Sequence, residues 1–189
     1  MSRFSGAHRP CRRRPGVDRC IALLAYEDEG RELVARLKYR NARSSLPWLA
    51  AGLAALAPTG VAVVTWVPTT DVRRRARGFD QAALLARAVA DRLRLPCRPL
   101  LRRRPGPAQT GRSLAERRRG PVLEARGRVF GSIIVVDDVV TSGSTVAAAA
   151  AVLRRAGAAE IVVLAAARTP SARITGEAQG GVAQRRQSR

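Results

Sequence analysis

Residues 133–145 read IIVVDDVVTSGST. Four apolar, mostly β-branched residues run into two adjacent acids, then into a hydroxyl-rich loop with one glycine. The run VAAAAAVLRRAG follows at 146–157 and reads as a helix that stops at Gly157. Strand, polar loop and helix in that order make a βα unit. Its apolar run shows no alternation, as expected of a strand covered on both faces. The same pattern recurs at 61–68 (VAVVTWVP) and 160–167 (EIVVLAAA). CIALLAYE (20–27) reads as a further strand and CRPLL (97–101) as a short one.

Helical spacing falls between these strands. EGRELVARLKYR (29–40) puts Leu33, Val34 and Leu37 on one face. SLPWLAAGLAALAP (45–58) has Pro47 in its first turn and Pro58 past its end. DQAALLARAVADRL (80–93) starts on Asp80, an N-cap residue. TTDVRRRARGF (69–79) reads as a loop, and the polar stretch 102–128 as a long loop with a helical piece near SLAERRR. Alternating strands and helices define an α/β fold with a central, mostly parallel sheet flanked by helices.

In an open parallel sheet, ligands sit at the carboxyl ends of the strands. Asp137 and Asp138 are at such an end, and Thr141, Ser142, Gly143, Ser144 and Thr145 open a helix. A helix N-terminus offers unpaired N–H groups and a positive partial charge, which suit phosphate. Glycine lets the backbone approach closely, and hydroxyls add donors without charge. Acids would repel that phosphate, so they belong with sugar hydroxyls or a metal-bound hydroxyl. Together the pattern calls for a sugar phosphate. A P-loop or a GxGxxG turn would be the other route to a nucleotide, and neither is present.

The chain has 189 residues, 46% of them hydrophobic and 4% aromatic, so one domain with an Ala, Val and Leu core is expected. The formal net charge of +21 favours polyanionic partners, whether nucleic acid or phosphorylated small molecules. Lys38 is the only lysine, however, and a chain this rich in Arg, Ala, Gly and Pro also fits the codon bias of a GC-rich genome. Cys11, Cys20 and Cys97 form no disulfide framework and no CxxC pair, so no zinc is expected. His8 is the sole histidine and stands in an Arg/Pro/Gly-rich start, which disfavours histidine catalysis. No uninterrupted apolar run of membrane length and no signal peptide is seen, so a cytoplasmic location without membrane insertion is expected.

IIVVDDVVTSGST resembles the signature by which type I phosphoribosyltransferases bind phosphoribosyl pyrophosphate (PRPP). VPTTDVRRRARGFDQAALLARAVA (67–90), QTGRSLAERRRG (109–120) and LKYR (37–40) resemble the ComF family, phosphoribosyltransferase-like proteins linked to competence and DNA uptake. The resemblance covers roughly residues 20–170, leaving 1–19 as a disordered remnant and 171–189 as a disordered tail. It implies that Asp137 and Asp138 contact the ribose hydroxyls of PRPP and carry the catalytic role, and that Thr141 to Thr145 hold the 5′-phosphate. It makes Pro68, Thr69, Thr70 and Asp71 the pyrophosphate loop, and 109–119 a closing loop. Mg2+ is implied as PRPP's companion, with no direct protein ligand. The family's RGFNQ here reads RGFDQ, with Asp80 in place of asparagine. Its four-cysteine zinc ribbon is reduced to Cys11 and Cys20, so that module is expected to be lost or cut short.

Arg73, Arg74, Arg75 and Arg77 precede a helix at the same sheet end, where arginine forks would suit pyrophosphate. Arg117 and Arg118 are further phosphate candidates, against a bland reading as solvated charge. Phe79, Trp48 and Trp66 read as packing residues, Cys97 as a small buried hydrophobe, and Tyr39 as core or a base-stacking ring. The function expected is PRPP binding, with transfer of phosphoribose to an unidentified acceptor. The rival expectations are a DNA-uptake accessory that grips single-stranded DNA through arginine clusters, and a PRPP-sensing regulator.

Overall fold

The computed structural model describes residues 9–10, 15–37, 45–104 and 121–169. A five-stranded sheet runs in the order β1 (Arg9–Pro10), β2 (Arg19–Ala25), β7 (Glu160–Arg168), β6 (Ser132–Val140), β3 (Val61–Trp66). All neighbours are parallel except β1, which caps one edge antiparallel to β2. At the other edge Cys97 makes a single parallel bridge to Val64. A separate antiparallel pair, β4 (Leu101–Arg103) and β5 (Leu123–Ala125), lies beyond it. The fold is α/β, with helices on both faces of a mostly parallel sheet.

The two faces follow from the pleat. Successive side chains of a strand point to opposite sides. Ile133 and Val135 of β6 join Ile161 and Val163 of β7 in one core cluster, with Leu101, Leu123 and helix α5 (Ser144–Arg155). Ile134, Val136, Val162 and Leu164 join the other cluster, under α1 (Asp28–Leu37), α2 (Leu46–Ala55) and α4 (Gln81–Leu93). The central strands are therefore apolar on both faces through 133–136 and 161–167, which is why no alternation shows in their sequence.

Several expectations are corrected. The stretch 69–79 is not all loop: Asp71–Arg77 forms a short helix, α3. Thr70 accepts from the Arg73 N–H at its start, and the Gly78 N–H bonds the Arg74 carbonyl at its end. The expected strand at 97–101 is only the bridge at Cys97 before β4. β6 does not end at the acids but continues to Val140, so Asp137 and Asp138 lie within the strand. Trp48 is 39% exposed rather than core, whereas Trp66 packs against the second cluster. Phe79 is half-buried and belongs to neither cluster. Cys97 is only half-buried, and burial pushes its thiol up. The helical piece expected near 114–119, Tyr39, Cys11, His8 and the tail lie outside the described residues. Among the described residues, no helix is long and apolar enough to cross a membrane.

Gly157 ends α5 as expected. Its φ is +111°, its N–H bonds the Arg154 carbonyl, and the next N–H, of Ala158, reaches back to Leu153. That is a Schellman closure. A Cβ at 157 would sit 2.6 Å from the Val129 carbonyl oxygen. Gly157→Ala should therefore cost about 2 kcal/mol, combining the left-handed backbone penalty with the clash. Denaturant midpoints at unchanged slope would measure it.

Candidate functional site

The carboxyl ends of β2, β3 and β6 open into one cleft of about 390 Å3. It is lined by Asp137, Asp138 and Val139 of β6, with Thr141 and Thr145 of the following loop and α5. Val67, Pro68 and Thr69 after β3, Arg73 of α3, and Asp80, Gln81 and Ala82 at the start of α4 also line it. Tyr26, just past β2, and Arg103 of β4 complete the lining.

The acid pair is shaped by its own backbone. Asp137 Oδ1 accepts the Asp138 N–H at 2.9 Å, and Asp138 Oδ1 accepts the Val139 N–H at 2.9 Å. Burial pushes the Asp137 carboxyl well above the usual carboxylate range. The Asp138 charge and a hydrogen bond between the two side chains push the same way, and Asp80 adds to it. Asp137 therefore holds its proton more readily than a solvated carboxyl does. The site therefore favours a ligand that brings hydroxyls or a cation to them.

Asp80 joins two elements. Its Oδ2 accepts from the Thr69 N–H at 3.0 Å and its Oδ1 from the Ala83 N–H at 3.3 Å. One carboxylate thus caps α4 and pins the loop after β3. An asparagine would set its NH2 group against one of those donors, so an acid suits this position.

Alternation along β4 sorts its arginines. Arg102 bonds Glu124 of β5 at 2.7 Å, and Arg104 pairs with the same carboxylate. Arg103, between them, turns to the cleft. Burial lowers its guanidinium pKa, as does the nearby Arg73 charge, while Asp137 and Asp80 oppose the shift. Arginine remains charged at any physiological pH.

The sequence-expected residues thus divide. Asp137, Asp138, Thr141, Thr145, Pro68, Thr69 and Arg73 come together in the cleft. Thr70 instead caps α3, and Asp71 pairs with Arg74 at 3.1 Å on the exposed side of that helix. Arg74 and Arg75 are exposed. Gly143, φ +76°, caps α5 from a buried position, and the Ser142 and Ser144 hydroxyls meet each other at 3.0 Å beside the cleft rather than lining it. The side chain of Arg77, and Arg117 and Arg118 entirely, lie outside the described residues.

Sequence reasoning missed Tyr26, Gln81 and Arg103 as lining residues. Tyr26 could have been found as the residue after a strand's carboxyl end, and Gln81 as the first residue after an N-cap. Arg103 shows no such local signal.

No protein-family model and no curated protein matches the chain. Among solved structures, the chain is similar to the glutamine PRPP amidotransferase from B. subtilis, complexed with ADP and GMP (27% identity, TM-score 0.47). That match covers 66% of this chain and 26% of the other, so the chain spans about a quarter of that enzyme's length. It is also similar to the orotate phosphoribosyltransferase from Aeropyrum pernix (24% identity, TM-score 0.38, 74% and 64% of the two chains). A third similarity is to the purine phosphoribosyltransferase from Pyrococcus horikoshii (16%, 0.38, 73% and 84%).

The raised Asp137 pKa has a consequence for stability. A carboxyl whose folded pKa exceeds its unfolded one stabilises the fold fully below the unfolded value, here 3.8, and loses that contribution as pH rises through the folded value. The ligand-free Asp137→Asn protein should therefore melt higher than the wild type at pH 7, and the gap should close as pH falls towards 4. Melting curves across that range on both proteins would check it.

Proposed function

We propose that the cleft binds PRPP and supports transfer of its phosphoribosyl group to an acceptor. The observation that carries this is the set of groups that meet in one cleft. Hydroxyl donors of Thr141 and Thr145, the acid pair, and Thr69, Arg73 and Arg103 all line it. A sugar that carries hydroxyls together with a phosphate and a diphosphate suits that set. The ribose hydroxyls go to Asp137 and Asp138, and the 5′-phosphate goes to the loop and the N-terminus of α5.

In the transfer, the C1–oxygen bond to pyrophosphate breaks, its electron pair leaves with the pyrophosphate, and the acceptor's lone pair forms the new bond to C1. Arg73 and Arg103 stabilise the departing charge, and the acid pair holds the sugar as positive charge develops on it. Among the described residues no group of three metal-ligating side chains exists. Two carboxylates beside a diphosphate suit Mg2+ that arrives on the ligand and keeps most of its water. Bound there, it would neutralise the diphosphate. The sequence resemblance to the ComF family is what supports a role in DNA uptake, and cytoplasmic residence would follow from that role. An extended single-strand grip is less favoured, since Arg102 and Arg104 are engaged with Glu124.

Calorimetric titration with Mg-PRPP tests the assignment. The Asp137→Asn, Asp138→Asn double variant should fold and bind about tenfold to a hundredfold more weakly, since each charged hydrogen bond contributes roughly 1.5–3 kcal/mol and the two grip one sugar. Equal affinity in the folded variant would remove the acid pair from the site.

A further inference from the structure

Gln81 is 3% exposed and lines the cleft, and its Nε2 is a buried side-chain atom without a hydrogen-bond partner among the described residues. Burying an amide unpaired forfeits its hydration with no return. A residue that served only packing at this position would be better apolar. The terminal torsion of glutamine is soft, so the amide can turn towards an acceptor oxygen that enters the cleft.

The surroundings fix what that oxygen belongs to. Gln81 and Ala82 open the 13-residue helix α4, whose first-turn N–H groups have no acceptor inside the helix. Arg73 and Arg103 line the same cleft. Among the described lining residues from the β3 loop to the start of α4, Asp80 is the one acid, and its two oxygens already accept from Ala83 and Thr69. Donors therefore converge here, and a ligand group with acceptors only, such as a phosphoryl oxygen, completes them.

The geometry points to Gln81 as the residue by which the site tells a diphosphate-bearing sugar from its monophosphate counterpart, its Nε2 donating to the diphosphate arm. This rests on the PRPP reading above, and adds to it a neutral donor that rewards the second anionic end of the ligand. A neutral amide suits the task. It gives direction without adding to the Arg73 and Arg103 charges already present.

The test is calorimetry with PRPP and, separately, ribose 5-phosphate, both with Mg2+, on the wild type, Gln81→Met and Gln81→Glu. The Met variant should bind PRPP roughly tenfold more weakly, with ribose 5-phosphate affinity within about twofold of the wild type. Its melting temperature should not fall, because an unpaired amide has been replaced by an apolar chain of similar length. The Glu variant should lose more than tenfold for PRPP by charge repulsion, again sparing ribose 5-phosphate. It carries the test alone if the Met variant does not fold. Unchanged PRPP affinity in the folded variants, or equal loss for both sugars, would overturn the role of Gln81 while leaving the PRPP reading intact. A wild type that binds neither sugar phosphate would overturn that reading, and this inference with it.

Discussion

The site depends on β6 being hydrogen-bonded on both sides. β3 and β7 flank it in parallel register from Ser132 onward, and Ile133 to Val136 are at most 1% exposed. A strand so held cannot slip, because a one-residue shift would turn every side chain to the opposite face. The pairing with β7 continues through Asp137 to Val140. The acids are therefore carried by an interior strand of the sheet, paired on both sides through its apolar run. The order of Asp137, Asp138 and the Thr141–Thr145 turn is then fixed by covalent succession.

Around that strand the electrostatics are local, despite the net charge of +21. Arg19 pairs with Glu160 at 3.0 Å, Arg154 with Asp18, and Arg102 and Arg104 with Glu124. Arg73 and Arg103 line the same cleft as Asp137 and Asp138. Acids and donors gathered in one cleft make a narrower selector than a basic surface. The shifts at Asp137 and Arg103 reflect the same crowding, since each group is partly removed from water and placed among charges.

The sheet was legible because buried parallel strands are written as unbroken β-branched runs, and 61–66, 132–136 and 160–167 needed only pattern. The acid pair and the α5 turn were legible because they directly follow such a run. Gly157 was legible because a Schellman closure needs a left-handed residue there. What escaped depended on partners far along the chain. That Arg103 faces the cleft while Arg102 and Arg104 do not is set by pairing with β5, twenty residues away. The helix at 71–77 was hidden by its arginines, which read equally as solvated loop. The pairing of Asp71 was hidden for the same reason: once α3 forms, its carboxylate lies one turn from Arg74 and pairs with it. Asp80 was legible as a cap but not as the tie to Thr69, which needs the loop folded against α4.

A crystal structure of the protein with Mg2+ and PRPP tests the account most directly. It should show the 5′-phosphate on the 141–145 turn, ribose hydroxyls within hydrogen-bond distance of Asp137 and Asp138, and the diphosphate between Thr69, Arg73 and Arg103. Density for PRPP elsewhere, or with its sugar turned away from the two aspartates, would contradict it.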